Sequence, residues 1–229
     1  MSIQGAITEA DIANYLANTP GFFERHAELL ASIQLASPHG TRAVSLQERQ
    51  MEMLRDKIRG LEHRIIEMIR HGNDNMAIAD RMHRFTRESM LTRHARALPE
   101  VLLAAVKREF MIPQAALRLW GVDPAHGDQP FAQAVGDDTR AFAASLSQPY
   151  CGANSGFEAV KWLDDHLVTQ SIALVPLIGP AAGGAGACFG LLVLGSPDPT
   201  RYTADMGTEF LARLGEIASA ALTRLLPLD

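Results

Sequence analysis

Ser171-Ile-Ala-Leu-Val-Pro-Leu-Ile178 and Cys188-Phe-Gly-Leu-Leu-Val-Leu-Gly195 are the two stretches on which the reading of this 229-residue chain turns. Each is a short apolar run bounded by turn formers, the signature of a buried strand. Between them lies Gly179-Pro-Ala-Ala-Gly-Gly-Ala-Gly186, a glycine-rich turn, so the pair predicts a β-hairpin. The turn has no following Lys-Ser/Thr and leads into a strand instead of a helix. It is therefore not expected to cradle a pyrophosphate.

Working outward, Ser196-Pro-Asp-Pro-Thr200 is a loop, and residues 204–226 predict a closing amphipathic helix. Its apolar face is Phe210, Leu211, Leu214, Ile217, Ala218, Ala221 and Leu225. Upstream, residues 115–122 predict a strand that stops at Asp123-Pro-Ala-His-Gly-Asp128. A second short strand is expected over 131–135. A helix is expected over 137–146, with Asp137 or Asp138 as N-cap. Residues 147–170 read as mostly irregular, with a short helix around 157–163. Before these, Pro99 sits in the first turn of a helix whose apolar positions are Val101, Leu102, Ala105, Val106 and Phe110, ending at Pro113. The sum is an α+β fold: an antiparallel sheet with helices on at least one face.

From Ser45 to Ser89 there is no proline, and Ser45 with Glu48 forms a capping box. The apolar positions Met51, Leu54, Ile58, Leu61, Ile65 and Met68 are spaced 3-4-3-4-3. In this heptad register Ile58 and Ile65 are at a, with Leu54 and Leu61 at d. That combination favours a parallel two-stranded coiled coil, across which Lys57 at g would meet Glu62 at e. The register weakens at His71-Gly-Asn-Asp-Asn75, which predicts either a helix break or a loose region, and resumes at Ile78, Met82 and Phe85. Nearer the N-terminus, residues 8–35 read as short helices. Thr8 is an N-cap with Asp11 three residues on, and Ile12, Tyr15 and Leu16 form one apolar face. The helix breaks at Asn18-Thr-Pro-Gly, and Phe22, Phe23, Leu29, Leu30 and Ile33 form a second face. Ser37-Pro-His-Gly-Thr41 is a turn. Three regions follow: a small helical piece over 1–41, a long linker helix over 42–96, and an α+β domain over 97–229.

Net charge is −5 and unevenly spread, at −3 over 1–41, +4 over 42–96 and −6 over 97–229. An acidic C-terminal domain argues against a broad nucleic-acid footprint there. The basic stretch is Arg81, Arg84, Arg87, Arg93 and Arg96 with His83 and His94, opposed locally by Glu88 and Asp80. It reads as a solvated linker helix or as a contact for phosphates or an acidic partner. The N-terminus carries no secretory signal, and the apolar runs are far short of the ~20 residues of a membrane span. With two cysteines and no disulfide framework, a soluble cytoplasmic protein is expected. The histidines show no His-x-x-x-His pairing, and Asp164-Asp165-His166 reads as a solvated loop, so no metal site is expected.

The order of elements resembles a GAF domain, a small-molecule sensor fold. The resemblance is carried by Ala173-Leu-Val-Pro-Leu-Ile178, the glycine-rich turn, Phe189-Gly-Leu-Leu-Val-Leu-Gly-Ser196, and the final helix after Tyr202 and Thr203. Over nearly its full length the chain also resembles the bacterial DUF484 family. The matching stretches are Tyr15-Leu16 through Phe22-Phe-Glu-Arg-His26, Ala43-Val-Ser-Leu-Gln-Glu-Arg-Gln50, Leu54-Arg55, Leu117-Arg-Leu-Trp120, and Gly195-Ser-Pro-Asp198 through Met206-Gly-Thr-Glu-Phe-Leu-Ala-Arg-Leu214. The resemblance implies a helical N-terminal region leading by a long helix into one GAF-like domain. It also implies a ligand site on the sheet face opposite the terminal helices, under residues 147–170.

The candidate ligand-binding residues are Arg118, Trp120, Phe142, Tyr150, Cys151, Phe157 and Trp162. On the strand at 115–122, Leu117 and Leu119 face one way, and Arg118 and Trp120 the other. Arg118 either clamps an anionic ligand or stacks on Trp120 at the surface. Some GAF-fold enzymes reduce free methionine sulfoxide through cysteines. Cys151 and Cys188 have no neighbouring base in sequence and read as buried and inert, and Cys151 lacks the following His of a bilin site. The leading expectation is a non-enzymatic regulatory protein that forms a homodimer along the stalk and binds an unidentified small molecule. With Asp229 as last residue, its output would pass to a protein partner or to the N-terminal helices. The alternatives are a structural adaptor with a vestigial pocket, a thiol-dependent methionine sulfoxide reductase, and an accessory nucleic-acid-binding protein.

Overall fold

Strands β3 (Ser171–Ile178) and β4 (Cys188–Ser196) pair antiparallel from Ser171↔Ser196 to Ile178↔Cys188 and form the centre of the sheet. The chain was analysed as a computed structural model that describes residues 7–32, 46–179 and 186–227. By its internal contacts it divides into Met1–His63 and Arg64–Asp229. Among the described residues the strands form one sheet of order β1-β4-β3-β2, all antiparallel, with β1 at Gln114–Leu119 and β2 at Tyr150–Ala153. The glycine-rich turn expected between β3 and β4 falls mostly outside the described residues. Strand β1 ends because Gly121 adopts φ +67, a left-handed conformation that costs glycine little.

The hairpin is buried on both faces, which is why its two runs are continuously apolar instead of alternating. On one face, Ala115, Leu117, Leu119, Cys151, Ala173, Val175, Leu177, Leu192 and Leu194 join a core with α5 (Leu98–Phe110), α7 (Glu209–Leu222) and the C-terminal part of α4 (Leu46–Leu91). On the other face, Ile172, Leu174, Leu191 and Val193 pack beneath α6 (Asp137–Ser145) and the 3-10 turn Glu158–Trp162. Burial of this kind contributes about 25 cal/mol per Å2 of apolar surface. Helix α7 lies close on β3: a Cβ on Gly215 would come 2.6 Å from Val175 Cγ1. In β4, a Cβ on Gly190 would meet Leu119 Cδ2 at 2.6 Å, and one on Gly195 would meet Leu163 Cδ1 at 2.5 Å.

The structure departs from the sequence expectations at residues 131–135, at the start of α6 and in 147–170, and decides between the two readings of 71–75. Residues 131–135 form no strand: Pro130–Ala132 is a 3-10 turn whose Phe131 inserts into the core as a single anchor. Helix α6 is not capped by Asp137 or Asp138, because Gly136 holds the N-cap position. The Glu158 carboxylate approaches from another element instead and accepts from Thr139 Oγ1 at 2.9 Å. Helix α4 does not break at residues 71–75 but runs unbroken through Gly72. Strand β2 was not anticipated within 147–170, although the 3-10 turn after it was.

Helix α5 has proline in its first turn as expected and ends at Met111 in the left-handed region, φ 52. In the unit Met1–His63, α1 (Glu9–Ala17) carries the complete Thr8/Asp11 capping box. Phe22 then gathers Tyr15, Phe23 and His26 at ring distances of 5.8, 5.2 and 4.7 Å. Helices α2 (Phe22–Arg25) and α3 (Ala27–Ser32) follow. The Ser45/Glu48 capping box, the turn at 37–41, and the side chains of Leu30 and Ile33 lie outside what is described.

Candidate functional site

Six of the seven candidate residues meet on the sheet face opposite α5 and α7. From β1, Trp120 packs into that cluster and Arg118 turns toward it, while Leu117 and Leu119 enter the other core, as strand alternation requires. Tyr150 comes from β2, Phe142 from α6, and Phe157 and Trp162 from the segment over the sheet. Phe142, Tyr150 and Phe157 form a three-ring cluster with centroids 5.3–6.5 Å apart. The Tyr150 ring folds over Gly152, where a Cβ would come 2.7 Å from the phenol oxygen. Glycine is required there so that the ring can lie flat on the strand. Cys151, one residue along β2, points to the opposite face and joins the helix-side core.

Arg118 does not stack on Trp120. Its guanidinium lies 5.7 Å from the Trp162 ring centroid and donates to the Pro130 carbonyl at 2.9 Å and to Gln133 Oε1. It is Arg140 from α6 that covers Trp120, at 6.0 Å. Such pairs contribute about 0.5–1 kcal/mol at exposed sites and more when desolvated. Partial burial pulls the Arg118 guanidinium below its usual range. Trp120 is fixed further by its indole N–H, which donates to the Cys188 carbonyl at 2.8 Å. Arg118 thus ties the 130–133 segment to the sheet, and the rings of Phe142, Tyr150 and Phe157 form the apolar part of the site. Arg140, Gly152 and Glu158 belong to this neighbourhood but escape a sequence reading, since each acts on a partner distant in the chain or through the absence of a side chain.

The two thiols are ill placed to work together. Cys151 faces the α5/α7 side, and Cys188 packs on the other. Cys151 is aligned with Ala173, and Cys188 with Ile178, five residues further along β3. At about 3.3 Å per residue this offset alone is near 16 Å, well beyond disulfide reach. Burial raises both thiols above the ordinary cysteine range, with Cys188 partly relieved by hydrogen bonds.

Two of the five arginines in the basic stretch at 81–96 are met by acids from elsewhere. Arg84 donates to Glu109 at 2.7 Å, Arg96 pairs with Asp128 at 3.2 Å, and Glu88 pairs with Arg108. The Arg84 guanidinium holds the Glu109 carboxyl below the ordinary glutamate range. Arg224 donates to the carbonyls of Thr92 and Arg93, at 2.9 and 2.8 Å, just past the end of α4. Lys107 pairs with Asp164 at 3.8 Å, and the Asp165 N–H donates to Gln114. Among the described residues no group of three His, Cys, Asp or Glu side chains is arranged to hold a metal ion. No described helix is long and apolar enough to cross a membrane.

A concavity of about 560 Å3 lies away from the aromatic cluster, between α7 and the outer end of β3. It is lined by Pro149, Val175, Pro176, Ile178, Gly215 and Ser219, among others. Strand β2 covers β3 only as far as Leu174. Beyond it, Pro176 has no N–H to offer, and the Ile178 N–H donates to Ser219 Oγ at 3.0 Å. These two features discourage an added strand along this edge.

A family model described as "Protein of unknown function, DUF484" matches residues 2–226. The chain belongs to the DUF484 family. No curated protein matches this DUF484 chain. Solved structures similar to it include the GAF domain of a phosphoenolpyruvate-protein phosphotransferase from Acinetobacter, at 14% identity and TM-score 0.44, covering 64% of this chain and 92% of that one. The corresponding GAF domain from Coxiella burnetii has 12% identity and TM-score 0.45, covering 65% and 94%. Free methionine-R-sulfoxide reductase from Neisseria meningitidis, in complex with its substrate, has 15% identity and TM-score 0.41, covering 63% and 87%. The DUF484 chain has an α+β layout: a helix-flanked antiparallel sheet preceded in sequence by one long helix.

Proposed function

We propose that this chain is a non-enzymatic regulatory protein whose GAF-like domain takes a small organic ligand at the aromatic cluster, and whose helix α4 pairs with a second copy. The observation that carries the reading is the meeting of Phe142, Tyr150 and Phe157, with the Tyr150 ring over Gly152, on the sheet face opposite α5 and α7. A flat ligand with an apolar body would replace ring–ring contact with ring–ligand contact there. Helix α4 supports the second half: Met51, Leu54, Ile58, Leu61, Ile65 and Met68 are all exposed. An unbroken apolar stripe of that length is an association surface. Ligand binding would bias the stalk only by as much as its affinity differs between two helix arrangements.

Isothermal titration of the full chain with cyclic nucleotides and common metabolites tests the ligand. Saturable binding that Tyr150→Ala and Phe157→Ala weaken together is expected. Heat from none of them would leave a structural adaptor. That second reading draws on Arg118, whose Nη1 already serves Pro130 and Gln133. Sedimentation tests the pairing: a dimer at micromolar concentration that Leu54→Asp with Leu61→Asp converts to monomer is expected, since charges at d positions cannot be solvated in a tight seam. The thiol geometry weighs against a sulfoxide reductase, and the acids facing Arg84 and Arg96 weigh against phosphate binding.

A further inference from the structure

We infer that the association surface of α4 passes straight through residues 71–75, stepping from Ile65 to Ile69 and on through Gly72, Met76 and Ala79, and that its occupant is a second copy lying parallel and in register. This rests on the dimer reading above and fixes its path. A strict heptad continued from Ile65 would use Met68, Gly72, Asn75, Ala79 and Met82, sharing Gly72 and Ala79 with this path. That frame fails twice. Asn75 is polar, and Met82 is already packed against the core that holds Phe85, Phe110 and Phe210.

The alternative follows the natural period of the helix. Ile58 to Ile69 and Ile65 to Met76 are each eleven residues, about three turns, and Ile58 to Met76 is eighteen, about five turns. At about 100° per residue, Met51, Leu54, Ile58, Leu61, Ile65, Ile69, Gly72, Met76 and Ala79 fall within an arc of about 80°. The structure leaves this stripe open. Ile69 is 60% exposed and Met76 68%, and a Cβ on Gly72 would meet nothing within 4 Å. Met76 is nine residues, about two and a half turns, before the fully buried Phe85. From Ile65 to Ala79 the stripe therefore lies on the side of α4 opposite Phe85 and the core it enters, where a partner can approach.

A second copy suits this stripe better than an unrelated partner because the flanks complement themselves. In a parallel, in-register pair Lys57 meets Glu62 of the other copy, twice by symmetry. In the shifted frame Met68 meets Asn73, and Asn75 meets Asp80, with no like charges opposed. The four-residue step also relaxes the left-handed supercoil of the Met51–Ile65 heptads, so the two helices run straighter beside Gly72.

The test is cysteine crosslinking of the full chain, with the unsubstituted protein as blank for the two native thiols. Single substitutions Ile58→Cys, Met68→Cys, Ile69→Cys, Asn75→Cys and Met76→Cys are oxidised with copper phenanthroline at micromolar concentration, and the covalent dimer is read on a non-reducing gel. Positions 58, 69 and 76 should crosslink several-fold more than 68 and 75. If 68 and 75 crosslink as well as or better than 69 and 76, the seam follows the heptad; the inference fails and the dimer reading stands. Efficient crosslinking at one position alone means antiparallel helices and overturns it. A sedimentation dimer without crosslinks places the interface elsewhere and overturns it too. Monomers without crosslinks overturn both readings.

Discussion

Phe85→Ala should loosen the anchorage of α4 on the domain. The ring is fully buried, with its centroid 6.2 Å from Phe110, whose own ring lies 4.8 Å from Phe210. This stack joins three helices, and no polar contact can replace it. Truncating a buried phenylalanine costs about 3–5 kcal/mol, the lost transfer energy plus the cavity left behind. Against a total stability on the order of 5–15 kcal/mol, that is a large share. At roughly 2–4 °C per kcal/mol for a domain of this size, the melting temperature should fall by about 6–20 °C. Calorimetry of the full chain gives that number. Hydrogen exchange adds the location: amides around residues 82–91 should lose more protection than those of β3 and β4. Phe85→Leu, which keeps most of the volume, should cost under about 1.5 kcal/mol. A drop of less than about 2 °C for the alanine variant would refute the anchoring role of this ring.

Gly60 sits mid-helix, exposed, with open space where a Cβ would stand; Gly60→Ala should stabilise α4 by about 1 kcal/mol, seen as slower amide exchange near residue 60, and faster exchange would contradict it. Glu109 is held low by Arg84. Its contribution is therefore present above the unfolded-state value and lost as pH falls through the folded one. Glu109→Gln should flatten the acid limb of a stability–pH curve, and an unchanged limb would remove this pair from the account. Both thiols are raised by burial, so iodoacetamide at neutral pH should label the folded chain far more slowly than the urea-unfolded chain. Fast labelling of Cys151 while folded would reopen the enzymatic reading.

The hairpin and α5 could be read from the sequence because their signals are local: apolar runs between turn formers, and proline at a helix start. The Thr8 cap was legible for the same reason, with both partners within four residues. What escaped was set at a distance. The carboxylate that binds Thr139 in the first turn of α6 comes from Glu158, 19 positions on, and Arg118 finds Trp162, 44 positions on. Residues 131–135 imitate a strand, but Pro130 starts a 3-10 turn there and Phe131 serves the core alone. Strand β2 is four residues with a central glycine, too brief for a period to register. Of the two readings of residues 71–75, the helix break is not realised, because one glycine costs a helix only about 1 kcal/mol. Within the candidate site, strand alternation correctly grouped Arg118 with Trp120, and the same alternation carries Cys151 away from Tyr150.

Because β3 and β4 are apolar on both sides between Ile172 and Leu177 and between Phe189 and Leu194, a slip of one position along that span would carry no polar side chain from one face to the other. Water therefore does not dictate which residue faces which. The keys are the two missing side chains: Gly190 under Leu119 and Leu177, and Gly195 under Leu163. Only one alignment sets a bare backbone beneath each of these leucines. The hairpin is thus indexed like a lock, by notches instead of by polarity, and a methyl group added at either notch would leave the chain to choose between a clash and a misaligned sheet.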